Sequence, residues 1–260
     1  MKKTVLAIAA AVAATVLPAI AQAEEAASPL SFNIGAVTDY RYRGISQSRL
    51  KPALQGGLDY ASPSGFYVGA WGSTIKWIKD AGEIADVDVG SANVEIDLYG
   101  GYKGEIQKDL SYDVGLLQYV YPGNHYDNLG GGAKKTDTLE IYGALTFGPA
   151  TVKYSHAVTT LFGTPDSKNS GYLDLSATFD AGSGFSVVPH VGYQRVAGDL
   201  SDFSYTDYSL TVSKDVEGFL LSAAVIGTST KKINGDYAYI SPEGKNLGRA
   251  TVVLGVKKTF

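Results

Sequence analysis

Ionisable side chains recur through this chain at alternate positions. Asp39, Arg41 and Arg43 form one such run and Glu95 with Asp97 another, while Asp59, Asp113, Glu140, Lys153, Asp174, His190 and Asp207 hold the same polar parity within their own segments. Carboxylates and guanidinium groups spaced in this way have two uses. They line a watery passage and sort solutes by charge, or they pair with one another and hold chain segments together. Arg41 and Arg43 bridging to Glu95, Asp97 or Glu140 would fill the very space that solutes would otherwise cross.

Catalytic chemistry has less to draw on. The histidines are His125, His156 and His190, and cysteine is absent, which removes a thiol nucleophile and a disulfide framework. Ser155 precedes His156, but neighbours on a strand point to opposite faces, so the two do not make a nucleophile–base pair. No G-x-S-x-G context surrounds any serine. Asp86-x-Asp88 lacks the further ligands of a calcium loop, and Gly130-Gly131-Gly132 lacks the Lys-Ser/Thr and helix of a phosphate loop. Neither enzyme activity nor a metal or other cofactor is expected. A lipid-cleaving site at His156 is the weakest of the alternatives.

The elements that position these side chains have a period of two. Leu30, Phe32, Ile34, Ala36, Thr38 and Tyr40 share one face, against Ser31, Asn33, Asp39, Arg41 and Arg43. Val94, Ile96 and Leu98 oppose Glu95 and Asp97 in the same way, and Leu173, Leu175 and Ala177 oppose Asp174 and Ser176. Twelve such segments are predicted, near 30–43, 52–60, 65–78, 91–102, 109–121, 138–147, 151–158, 171–180, 185–196, 205–214, 219–227 and 247–260. About ten residues is what a tilted membrane strand requires. The links between them alternate strictly, short after each even-numbered crossing and long (44–51, 79–90, 122–137, 159–170, 197–204 and 228–246) after each odd one. That alternation predicts an all-β fold, a transmembrane antiparallel up-and-down β-barrel of about twelve strands, rather than a soluble sandwich.

Aromatic placement extends the reading. Phe32, Phe66, Phe147, Phe179, Phe185, Phe219 and Phe260 stand at the short-turn ends; Tyr40, Tyr42, Trp77, Tyr119 and Tyr121 stand at the long-loop ends, as two interfacial girdles would. Pro189 is out of place inside a predicted strand and implies a bulge or a shifted boundary.

Met1-Lys2-Lys3, an apolar run from Val5 to Ile20 and Ala21-Gln22-Ala23 form a signal peptide over 1–23, leaving a barrel over 24–260. The charge of −4 becomes −6 once Lys2 and Lys3 are removed, and without basic clusters nucleic acid is not a partner. The expected location is the outer membrane of a Gram-negative cell, reached through the periplasm, with outer-membrane lipid around the wall.

Thr38-Asp39-Tyr40-Arg41-Tyr42-Arg43-Gly44-Ile45-Ser46-Gln47-Ser48, followed by Gln55-Gly56-Gly57, Asp59-Tyr60, Ser64-Gly65-Phe66-Tyr67 and Trp71-Gly72-Ser73, resembles the opening signature of the TorF-type porins. These are proteobacterial outer-membrane proteins of largely uncharacterised function. The resemblance implies a barrel and a porin role, with no established substrate and no catalytic residues. Phe260 at the end of the last strand resembles the signal read by the barrel-assembly machinery, although Lys258 departs from it. The reading of the whole is a porin-like channel for passive diffusion of small hydrophilic solutes. Asp39, Arg41, Arg43, Asp59, Glu95, Asp97, Asp113, Glu140, Lys153, Asp174, His190 and Asp207 are expected to line its pore. A plugged barrel with a structural role, or with binding loops, is the main alternative.

Overall fold

The computed structural model describes residues 28–233 and 235–260; the signal peptide expected over 1–23 lies outside them. The period-two segments form strands β1 Leu30–Val37, β2 Ala53–Ala61, β3 Phe66–Thr74, β4 Val94–Gln107, β5 Leu110–Val120 and β6 Thr138–Phe147. They continue as β7 Ala150–Ala157, β8 Gly171–Ala177 resumed after Thr178 as Phe179–Gly182, β9 Phe185–Arg195, β10 Tyr205–Val216, β11 Phe219–Thr228 and β12 Thr251–Thr259. Each pairs antiparallel with its sequence neighbours, and β1 pairs with β12 from Asn33↔Thr259 to Val37↔Gly255. The result is a closed barrel of twelve strands without a free edge.

Alternation decides which side of the wall each residue takes. Leu54 is 65% exposed and Val252 60% exposed on the outside, whereas Glu95 and Glu140 are each 1% exposed within. An apolar exterior around a polar interior is the arrangement a bilayer demands, because a charge at its midplane costs roughly 2–4 kcal/mol. Where strands reverse at the short-turn end the connections are tight. Glu217 (φ 55°) and Gly218 (φ 77°) form a two-residue hairpin with both residues left-handed, which suits the right-handed twist of the strands they join.

Several expected boundaries shift. β1 stops at Val37 rather than Arg43, because Asp39 and the residues after it leave the wall and fold inside. β3 stops at Thr74, and Trp77–Ala85 forms a helix, α1, with Ile78 wholly buried. Trp77, Ile78, Ala81, Ile84 and Ala85 follow helical spacing, an i, i+4, i+7 signal that the surrounding period of two obscures. β4 runs on to Gln107, so the link expected at 103–108 shrinks to Lys108-Asp109.

The phenylalanines at the short-turn end do face outward, Phe66 and Phe260 among them. The second girdle does not form as expected. Tyr40, Tyr42, Tyr119 and Tyr121 are buried inside the barrel and Trp77 packs against them; Tyr154, Tyr193 and Tyr208 occupy the outer surface near the long loops instead. Tyr119 and Tyr121 share the parity of Asp113, which places them inward. Pro189 stays in register with Leu210 without a bulge in its own strand. On its other side the ladder with β8 lapses between Ser176↔His190 and Phe179↔Val187, while the Thr178 N–H continues the pairing with β7 by donating to the Pro149 carbonyl at 2.9 Å. The donor that Pro189 lacks is therefore met by an interruption in the neighbouring strand.

Candidate functional site in the lumen

The segment between β1 and β2 sets the interior. A small hairpin, Arg41–Tyr42 against Ile45–Ser46, turns through Arg43 (φ 47°) and Gly44 (φ 81°). Only glycine fits at the second position: a Cβ there would stand 2.6 Å from Thr228 Cγ2 and 2.8 Å from Asp207 Cβ. Asp39 anchors the base of the hairpin. Its carboxylate accepts from Arg41 Nε at 2.8 Å, Ser46 Oγ at 2.5 Å and Ser48 Oγ at 3.2 Å. Arg41 Nη1 then donates to the carbonyls of Gly44 and Arg249, both at 2.9 Å. Ser46 N–H reaches Leu247 O at 3.0 Å, which fastens the hairpin to the last long loop as well.

At the tip, Arg43 spans to the far wall. Its Nη2 donates to Glu140 Oε2 at 2.7 Å and Oε1 at 3.0 Å on β6, and Nη1 donates to Gln194 Oε1 at 2.6 Å on β9. The guanidinium lies 4.7 Å from the Tyr42 ring centroid and 4.3 Å from that of Tyr172. A planar cation held between two rings, with one Nη on a carboxylate and the other on an amide oxygen, uses the geometry that distinguishes arginine from lysine. Both partners are almost wholly buried, so their attraction mainly offsets the cost of leaving water and fixes one seat for the hairpin.

The remaining carboxylates divide into partnered and bare. Glu95 accepts from Tyr121 Oη at 2.6 Å and from Tyr40 Oη on its other oxygen. Asp113 accepts from Tyr67 Oη at 2.5 Å, Asp59 accepts from Tyr99 Oη, and Asp207 takes the Tyr172 hydroxyl at 2.9 Å. His190 Nε2 stands 2.8 Å from Asp174 and 3.2 Å from the Tyr172 hydroxyl. Lys153 Nζ sits 4.0 Å from the Tyr142 ring centroid. Asp97 differs: it is buried, and its Oδ1 has no hydrogen-bond partner among the described residues.

All twelve expected residues thus stand on the inner side, nine from the wall and Asp39, Arg41 and Arg43 from the inserted segment. Ser155 is buried inward while His156 lies beside Tyr154 on the opposite face, contacting Asn169 Oδ1 at 3.3 Å. Asp88 accepts the Gly90 N–H at 2.8 Å, and Gly130, Gly131 and Gly132 are left-handed turn residues.

A polar interior fastened to an inserted loop, inside a wall that is apolar outside, is the geometry to set beside known proteins. The model of a family described as bacterial proteins of unknown function, Gcw_chp, matches residues 22–260. The chain belongs to the Gcw_chp family. Among solved structures its fold is similar to the KdgM porin, at 8% identity over 88% of this chain and 99% of that one, with a TM-score of 0.53. The same figures hold for KdgM porin in complex with disordered oligogalacturonate. The NanC porin in a rhombohedral crystal form is similar at 10% identity, 88% and 98% coverage and a TM-score of 0.51. No curated protein matches the chain by sequence.

Within this Gcw_chp barrel several interior residues escaped the sequence reading. Gln194 and Tyr172 hold Arg43 and Asp207, and Lys103 and Lys257 also stand on the inward parity of their strands. Parity alone would have placed them, since Lys103 follows Asp97 by six positions. The tie between Arg49 and three acids at the long-loop end had no such signal. Arg49 Nη2 and Nη1 reach Asp80 at 2.5 Å, Glu83 at 2.5 Å and Glu243 at 3.4 Å, joining the first loop, α1 and the last loop. Burial pushes the Asp80 carboxyl up, and the Arg49 guanidinium opposes that rise.

Proposed function

We propose that this protein is a porin-like channel of the bacterial outer membrane, admitting small hydrophilic solutes by passive diffusion through a passage narrowed by the Arg41–Ser46 hairpin. The observation that carries the reading is the inward placement of Asp39, Arg41, Arg43, Asp59, Glu95, Asp97, Asp113, Glu140, Lys153, Asp174, His190 and Asp207 within a closed twelve-strand wall. Ionisable groups kept at that depth need water or each other. Likeness to KdgM and NanC in fold supports it, as does the resemblance of 38–48 to the TorF-type porins. Oligogalacturonate, the polyanion named with KdgM, fits this interior poorly, since inward carboxylates outnumber inward lysines and arginines. A weak preference for cations follows from the same excess. Outer-membrane lipid would meet the apolar exterior, and the barrel-assembly machinery would read Phe260.

A second reading has its own support. Arg43 bridged to Glu140 and Gln194 places protein across the lumen, so a closed barrel with loops as its working surface is the alternative. Single-channel recording of residues 24–260 in planar bilayers separates the two. Discrete steps that grow in Arg43→Ala support a passage narrowed by the hairpin. A folded, heat-modifiable barrel without steps, in the wild type and in Arg43→Ala, leaves the closed barrel.

A further inference from the structure

Above the hairpin, the long loops border a half-open cavity of about 580 Å³ that the polar interior does not explain. Its volume falls in the roughly 300–1,000 Å³ range of small-molecule sites. Segments from every long connection contribute to it, and its walls combine aliphatic side chains with rings, among them Tyr42, Trp77, Tyr121, Phe162, Tyr205 and Tyr239. Phe162 is central. Its ring packs edge-on to Tyr42, Trp77, Tyr119 and Tyr121 at centroid distances of 5.1 to 6.4 Å. It does so from a left-handed backbone (φ 47°), a conformation a bulky residue keeps only when its surroundings enforce it. The Phe162 N–H bonded to Thr138 Oγ1 at 2.8 Å is part of that enforcement.

Most polar groups on these walls are already engaged by the protein; Trp77 Nε1 and Asp80 Oδ2 are buried without a partner among the described residues. Tyr42 Oη is bonded to Tyr119, Tyr121 Oη to Glu95 and Tyr239 Oη to the Phe203 carbonyl. Ser46 Oγ serves Asp39 and the Leu50 N–H, Asp80 Oδ1 takes Arg49, and the Gln194 amide is divided between Arg43 and two carbonyls. A sugar recognised here would find few free donors or acceptors. A flat hydrocarbon ring would find faces and edges of its own kind, contacts worth more than their buried area alone.

The geometry points to a binding site in this vestibule for a small aromatic solute, held by shape and ring contact above the Arg41–Ser46 hairpin. Its meaning for uptake rests on the channel reading; its existence as a site does not. The test is calorimetric titration of the barrel in lipid nanodiscs with p-cresol, with glucose as the polar control and empty nanodiscs subtracted for partitioning. Saturable uptake at one site per barrel is expected, with no signal from glucose. Phe162→Ala should weaken it by roughly tenfold. Leu200→Trp, which fills the cavity from the connection between β9 and β10, should abolish it while circular dichroism and heat-modifiability stay unchanged. Uptake no greater than that of empty nanodiscs, equal uptake of glucose, or full binding by Leu200→Trp would each overturn the site. A barrel that conducts ions yet ignores p-cresol overturns this inference alone; one that binds p-cresol and never conducts overturns the channel alone.

Discussion

Arg43 and Glu140 lie 97 positions apart in the chain and meet across the lumen through two hydrogen bonds of 2.7 and 3.0 Å. Neither belongs to the other's strand neighbourhood, so the pair reports where the inserted hairpin comes to rest. Breaking it from one side strands a buried charge. Arg43→Ala or Glu140→Ala alone should destabilise the barrel by about 3–5 kcal/mol, while the double substitution recovers much of that loss. Urea unfolding in lipid vesicles, read as a double-mutant cycle, measures the coupling. A cycle that closes additively would mean that the pair does not seat the hairpin.

The turn beside Arg43 offers an independent handle. Gly44 has φ 81° and would place a Cβ 2.6 Å from Thr228 and 2.8 Å from Asp207. Gly44→Val adds both backbone strain and a clash, at roughly 1–3 kcal/mol for the strain alone. Thr228 and Asp207 belong to the hydrogen-bonded wall strands β11 and β10, so the two-residue arms of the hairpin should yield first and leave their seat while the barrel still folds. Larger conductance steps, together with faster trypsin cleavage after Arg41 or Arg43, are the expected readouts.

How much of this could be read in advance follows from where alternation holds. Residues on the wall obey it: Glu95, Asp97 and Glu140 face inward, as period two requires. Asp39, Arg41 and Arg43 also end up inside, but for a different reason. They lie in a connection, where direction is set by the Arg43-Gly44 turn and by Asp39 gathering Arg41, Ser46 and Ser48, not by pleat parity. Tyr40 shows the cost of extending parity too far; it reads as an outward girdle residue and is bonded to Glu95 within. The vestibule was not legible at all, because its rings come from separate loops whose meeting depends on tertiary contacts such as Arg49 with Asp80 and Glu243.

Asp97 differs from its neighbours in having a buried oxygen with no partner among the described residues, while Glu95 beside it holds two tyrosine hydroxyls. An unpaired carboxylate among other acids is costly to keep and is positioned to attract a passing cation. Asp97→Asn should therefore leave stability unchanged or raise it, and should lower the cation-to-anion permeability ratio obtained from reversal potentials under a salt gradient. Glu95→Gln perturbs two hydrogen bonds and should lose stability instead. Opposite signs for two acids on one strand, two positions apart, are hard to obtain unless the Asp97 carboxylate lacks a partner while Glu95 is held by the protein.

The exterior makes the most direct demand on the membrane reading. Leu254 on β12 is 52% exposed and pairs with Ala223 on the outer face, while Ser222 on the adjoining strand points inward beside Gly255. If hydrocarbon surrounds the barrel, Leu254→Arg places a guanidinium in it at a cost of roughly 2–4 kcal/mol near the midplane. Ser222→Arg sends the same group into the polar interior, where Lys257 already lies on the inward parity of β12. Folding free energies in vesicles should then differ by several-fold in their losses, with Leu254→Arg the worse. The same two variants in a bilayer thinned by short acyl chains should converge, since the outward arginine then reaches water. Equal losses in both bilayers would mean that the outer face does not meet lipid at Leu254.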